Sequence, residues 1–242
     1  MDLIDPFAQA SPRFLTRRKS GQPHQVFSGF LFHVEADRYL VLTALHCLLQ
    51  PGAFYFKNRG TEDTWADTYG HDLECEALGL KVSLYDGRTP RFRWHMDPLD
   101  ASLDVAAVPV RLPARPQAIN WPGRFGDYDV VTEGLPLTTG SAGVIYGFPG
   151  GAAILKAAPI ARGFTLASDY RLNPFAFHVD GIGAGCSGGP VALRAERGDR
   201  TLLQWIGVYV ATYEAERLGR CIPLGPVMEV VDAAIADRDL WD

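Results

Sequence analysis

The sequence predicts an all-β fold arranged in two lobes. Three observations lead there: short runs rich in aromatic and β-branched residues, turn signals throughout, and one amphipathic stripe confined to the C-terminal end. The 242 residues suffice for one large β domain or two smaller ones, and either would bury a proper core.

Residues 1–24 are largely polar and Pro-interrupted, and are expected as an N-terminal arm. From Gln25 the texture changes. Val26 to Val34 is aromatic and β-branched, Glu35-Ala36-Asp37-Arg38 is a polar turn, and Tyr39 to Thr43 is a second strand, which makes a hairpin. Ala44-Leu45-His46-Cys47-Leu48-Leu49 follows and is cut off by Pro51-Gly52, so His46 stands on a single turn at a strand end. A lone histidine there is ordinarily a core imidazole satisfied by a carbonyl. Residues 58–76 are acidic and loop-like; His71, Asp72, Glu74, Cys75 and Glu76 match no metal-ligand spacing, and no metal site is assigned.

Strands are expected at 79–85, where Asp86-Gly87 turns the chain, and at 91–95. Asp104 then sits at the entrance of the apolar run Val105 to Val110. Burying a carboxylate is costly unless it is paired, so Asp104 needs a partner, and His46 is the candidate. The bland alternative is an exposed Asp or a turn cap. Pro113, Pro116, Pro122 and Gly123 punctuate residues 112–126 and suit a linker between lobes.

Beyond the linker, strands are expected at 129–132, 143–149, near 152–159, and at 175–179. Gly185-Cys186-Ser187-Gly188-Gly189-Pro190 places a hydroxyl among glycines, which let the backbone bend and a ligand approach. Such a run is a turn unless the chain supplies a base and a group to orient it. Val191 to Arg194 and Leu202 to Ala211 flank a charged turn as a hairpin. Val227, Val230, Val231, Ala234 and Ile235 fall at i, i+3, i+4, i+7 and i+8, one C-terminal helix.

The net charge of -5 argues against a nucleic-acid partner, and Arg17-Arg18-Lys19, the one basic cluster, is expected as solvated surface. The start has no basic segment leading into an apolar core, and no apolar run reaches the roughly 18 residues of a membrane span. A soluble, cytoplasmic protein with no membrane partner is expected. Cys47, Cys75, Cys186 and Cys221 show no C-x-x-C spacing, so they are expected as reduced thiols rather than zinc or redox ligands.

Together, Thr43-Ala44-Leu45-His46-Cys47, Leu103-Asp104-Val105-Ala106-Ala107-Val108 and Gly185-Cys186-Ser187-Gly188-Gly189-Pro190 resemble the three catalytic motifs of trypsin-like serine proteases of bacterial intracellular type. The order His, Asp, Ser is the chymotrypsin-type one. Ser28-Gly29-Phe30-Leu31 resembles the first-barrel hairpin of that family, and Ile206-Gly207-Val208 with Cys221-Ile222-Pro223-Leu224 resembles the end of its second barrel; the likeness spans about residues 25–235. It implies two six-stranded antiparallel Greek-key β-barrels with a C-terminal helix: first barrel 25–115, linker 116–126, second barrel 127–224, helix 225–242.

The resemblance further implies a serine endopeptidase acting on a protein or peptide substrate through an acyl-enzyme, without a cofactor. His46 would be the base, Asp104 its orienting group and Ser187 the nucleophile. The N–H groups of Gly185 and Ser187 would form the oxyanion hole, and substrate would pair along Tyr209-Val210-Ala211. Trypsin carries an Asp six residues before the nucleophile; here that position is Gly181, with Asp180 one step further, which leans towards a small or apolar residue before the scissile bond, while a one-residue difference in loop length would bring in Asp180 and a basic preference. Cys186 replaces the Asp that serves zymogen activation, and Leu31 stands where a disulfide partner of Cys47 is expected. Control would therefore come from a regulatory protein partner or an upstream signal. Two rivals remain. A Cys186 nucleophile is out of register with Gly188-Gly189, and a pseudoprotease that keeps the double barrel as a protein-binding module would ordinarily have lost a catalytic residue.

Overall fold

The computed structural model describes residues 6–48, 70–87, 89–94, 103–120, 124–125, 128–129, 138–148, 159–168, 173, 175–181, 185–197 and 200–241. Residues 152–158 of the strand expected near 152–159, residues 130–132 of the one expected at 129–132, the loop from 58 to 69, and linker residues 121–123 and 126 lie outside them.

A short helix α1 (Pro6–Ala10) precedes the first strands: β1 (Arg13–Arg17), β2 (Pro23–Ser28), β3 (Phe30–Glu35), β4 (Arg38–Thr43), β5 (Asp72–Cys75) and β6 (Leu80–Ser83). Two-residue strands follow at β7 (Tyr85–Asp86), β8 (Thr89–Pro90) and β9 (Arg93–Trp94), then β10 (Ala106–Arg111). β11 (Ile119–Asn120), β12 (Arg124–Phe125) and β13 (Tyr128–Asp129) lead to the second half: β14 (Ala142–Gly147), β15 (Ile160–Thr165), β16 (Phe177–Asp180), β17 (Pro190–Arg197), β18 (Arg200–Tyr213) and β19 (Leu218–Pro223). The C-terminal helix is α2 (Leu224–Ala236).

In the first half one sheet runs β2-β1-β5-β6 and a second runs β13-β12-β11-β3-β4-β10-β9. They share one bent strand. The run expected as a single strand from 26 to 34 breaks at Gly29, so β2 pairs with β1 while β3 pairs with β4. A Cβ on Gly29 would lie 3.0 Å from the Phe14 ring and 3.1 Å from the Leu42 carbonyl, which is why the corner takes glycine. The expected arm also supplies a strand, since β1 pairs with both β2 and β5. Its buried face is Phe14 and Thr16, and the polar Thr16 hides the alternation.

The described residues of the second half form one antiparallel six-stranded sheet, β15-β14-β17-β18-β19-β16. β18 lies between two cores. Ile206 and Tyr209 join Ile145, Phe177, Val191 and Cys221 on one side, and Trp205, Val208 and Val210 join Phe30, Phe32 and Leu42 on the other. A bulge opposite Val191/Ala192 reverses the face that β18 shows to each core. The helix α2 buries Val227, Val230, Val231 and Ala234 against β9, β10, β18 and β19, so it clasps both halves. It is tied down by an ion pair between Arg93 and Asp237 and by Arg111 Nη2 donating to the Trp241 carbonyl at 2.8 Å. Among the described residues no helix is long and apolar enough to cross a membrane.

Candidate active site

β4 ends at Thr43, and the chain tightens at once into a 3-10 turn, Leu45–Cys47. Leu45 and Cys47 are fully buried and pin the turn, leaving His46 between them with its side chain 25% exposed. Across the sheet Ala106 pairs with Thr43. Just before it, Val105 N–H donates to Leu103 O at 3.0 Å, a three-residue kink centred on Asp104. Leu103 and Val105 are buried, so the kink delivers the Asp104 carboxylate beside His46. That carboxylate accepts twice: from His46 N–H at 2.8 Å on Oδ1 and from His46 Nδ1 at 2.5 Å on Oδ2. A carboxylate only accepts, so whenever the ring is neutral its proton sits on Nδ1 and the lone pair on Nε2.

Burial opposes charging this imidazole, but the Asp104 carboxylate and the Cys47 sulfur more than compensate, and the His46 pKa is raised. The Cys47 thiol is itself pushed up by burial and stays neutral at pH 7, so Asp104 is the charge that acts on the ring.

Ser187 occupies a turn in which Gly189 N–H donates to Cys186 O at 2.8 Å. Gly188 has a φ of +88°, which the third position of a type II turn demands. It also sits where no side chain fits: a Cβ would come within 2.0 Å of Ser28 O and 2.1 Å of Thr43 Oγ1. The turn is stitched into both halves. Ser28 N–H donates to Ser187 O at 3.2 Å from the first, and Gly188 N–H donates to Tyr209 O at 2.8 Å in the second. The thiol of Cys47 lies 3.7 Å from His46 Nε2 and 3.8 Å from Ser187 O, so the imidazole and the serine flank one sulfur. Ser187 Oγ donates to Val210 O at 3.3 Å, and among the described residues no hydrogen bond joins it to His46. The N–H groups of Gly185 and Ser187 have no partner among the described residues, whereas both carbonyls do.

The other sequence-selected residues fall as follows. Cys186 is fully buried in the second core and its thiol is pushed up to about 11 by burial. Tyr209 spends both backbone groups inside the protein, its N–H on Gly189 O at 3.0 Å and its O on Gly188. Its ring is buried against Gly219, and its hydroxyl pairs with Thr212 Oγ1 at 2.6 Å; burial raises its pKa to about 12. A bulge frees Val210 from the β19 ladder, and the half-buried Ala211 pairs with Arg220. Asp180 is exposed at the end of β16 and accepts from Thr165 N–H at 2.5 Å, while Gly181 N–H donates to Arg217 O at 3.0 Å. Cys47 receives Gln25 Nε2 at 3.9 Å from β2, one strand before Leu31. Four residues at the site went unassigned in the sequence: Ser28, Thr43, Cys47 and Gln25. A polar residue inside the apolar run before Gly29 was the available signal for Ser28.

A scan of family models gives no match, and a search of curated proteins by sequence gives none either. Solved structures do match. The protease Anisep from Arthrobacter nicotinovorans aligns over 95% of this chain and 97% of its own at 15% identity, TM-score 0.55. The Rv3671c protease of M. tuberculosis in its active form aligns over 96% and 83% at 17% identity, TM-score 0.51. Human heparin binding protein aligns over 97% and 95% at 13% identity, TM-score 0.56. This chain has the chymotrypsin fold. In this chain His46 and Asp104 lie in the first half and Ser187 in the second.

Proposed function

We propose that this chymotrypsin-fold protein is a serine endopeptidase with Ser187 as nucleophile, His46 as general base and Asp104 as the group that orients it. The observation that carries the reading is the double acceptance by Asp104 from His46, which fixes the tautomer with Nε2 unprotonated. In this reading the Ser187 hydroxyl leaves Val210 O and turns to Nε2 when substrate binds, since such contacts often tighten only in the complex. Nε2 then takes the hydroxyl proton as Oγ adds to the scissile carbonyl. Asp104 stabilises the imidazolium, and the N–H groups of Gly185 and Ser187, which have no partner among the described residues, receive the developing oxyanion. The imidazolium returns the proton to the leaving amine. Water, deprotonated by the same ring, releases the acyl group, so nothing is consumed but water and peptide.

The substrate is a protein or peptide lying extended beside Val210 and Ala211. The engaged carboxylate of Asp180 and the absence of an acid at Gly181 support a small or apolar residue before the cut rather than Arg or Lys. Labelling with a fluorophosphonate tests the reading. The enzyme labels at Ser187 and Ser187→Ala does not; a double-barrel binding module labels in neither form.

A further inference from the structure

Ser28 closes β2 at the corner where Gly29 breaks the strand, and its side chain is fully buried. Each of its polar groups has a partner. The N–H donates to Ser187 O at 3.2 Å and the carbonyl accepts from Thr43 Oγ1 at 2.8 Å. The hydroxyl donates to Gly185 O at 2.7 Å and accepts from Phe148 N–H at 2.9 Å. Three of the four partners belong to the second half of the chain. A single serine of the first half thus holds the carbonyls of the two residues whose N–H groups have no partner among the described residues.

The grip on Gly185 has a conformational consequence. Gly185 has a φ of +94°, a region where glycine moves freely, so its own torsions do not hold the peptide that follows it. Phe148 N–H also reaches Gly185 O, but at 3.3 Å and shared with Ser28 Oγ. The short bond from Ser28 Oγ is therefore what fixes the Gly185 carbonyl. Released, that carbonyl can rotate together with the Cys186 N–H of its own peptide, and the changes in ψ of Gly185 and φ of Cys186 that this needs loosen the aim of the two flanking peptides, which carry the N–H groups of Gly185 and Ser187. Oxyanion stabilisation needs donors aimed in advance, so such a movement is paid in rate and not in substrate affinity.

We propose that Ser28 is a positioning residue for the oxyanion site, its hydroxyl locking the Gly185 carbonyl from the opposite half of the molecule. The inference rests on the protease reading for its catalytic consequence, while the locking of the turn stands independently. Ser28→Ala is a fair test because Phe148 N–H keeps Gly185 O as an acceptor, so no buried donor is orphaned.

The saturating rate of Ser187 phosphonylation by a fluorophosphonate should fall about 10- to 100-fold, below the ~10²–10³ that loss of a whole oxyanion donor costs. The half-saturating concentration should stay within about twofold. Ser28→Cys, which keeps a weak donor, should recover part of the loss and serves if the alanine variant folds poorly. Hydrogen exchange of the 185–189 amides should quicken in Ser28→Ala at an unchanged thermal midpoint. An unchanged saturating rate in folded Ser28→Ala, or a rise in the half-saturating concentration alone, overturns the positioning role. If wild type is not phosphonylated at all, the protease reading fails, and unchanged 185–189 exchange then overturns the lock while quickened exchange upholds it.

Discussion

Replacing Asp104 by Asn keeps the shape of the side chain and removes the charge on which His46 depends. Asn offers one carbonyl oxygen where the carboxylate offers two, so the bonds at 2.8 Å and 2.5 Å cannot both be kept. If the amide NH₂ faces Nδ1, the ring is driven to the opposite tautomer, with the proton on Nε2 where the base is required. A hydrogen bond to a charged group contributes about 1.5–3 kcal/mol, so the loss of the Nδ1 bond alone costs about that much when the imidazolium forms. That corresponds to a loss of about 10- to 10²-fold in turnover, with the wrong tautomer adding to it. Steady-state hydrolysis of a peptide substrate across pH 5–10 measures it. In wild type the raised His46 pKa places the acid limb above the ordinary imidazole value of 6.5, and Asp104→Asn should move it down as well as lower the plateau. A variant within threefold of wild type, with the same acid limb, refutes the orienting role of Asp104.

Further outcomes follow from the same contacts. Because the folded His46 pKa is raised, protonated His46 stabilises the fold fully below about pH 6.5 and loses that contribution as pH rises through the folded value. Thermal midpoints of wild type and Asp104→Asn should therefore differ most near pH 6 and converge at high pH. Gly188→Ala should cost about 2–4 kcal/mol in denaturant unfolding, since the added carbon meets Ser28 O at a positive φ; a loss under 0.5 kcal/mol would contradict the close approach. All four cysteines are buried and free, and burial raises each thiol pKa. Native protein should resist iodoacetamide at pH 7.5 and take up four equivalents once unfolded; rapid native labelling of Cys186 would revive it as a reactive group.

The chemistry-bearing residues were legible because each is announced by its immediate neighbours: buried Leu45 and Cys47 around His46, Leu103 and Val105 around Asp104, glycines around Ser187. The helix α2 was equally plain from its stripe. What escaped depends on contacts between distant segments. β1 was hidden because its inward Thr16 is polar, packed where Gly70 leaves room. β15 alternates poorly, with Arg162 and Gly163 outward and only Phe164 buried, so a strand was expected earlier, at 152–159. Tyr209 was placed on the substrate strand because no local pattern reveals that Gly188 and Gly189 already use its backbone. Ser28 looked like part of a hairpin, and its partners Gly185 and Ser187 lie more than 150 residues on.

The proposed hydrolysis of peptide bonds by Ser187 is tested most directly by incubating a peptide library with folded wild type and with Ser187→Ala, and sequencing the products by mass spectrometry. Cleavage after small or apolar residues by wild type, absent in the variant, is the expected result. No cleavage by wild type, or cleavage that survives the loss of the hydroxyl, would contradict it; strong cutting after Arg or Lys would keep the hydrolase and overturn the pocket assignment.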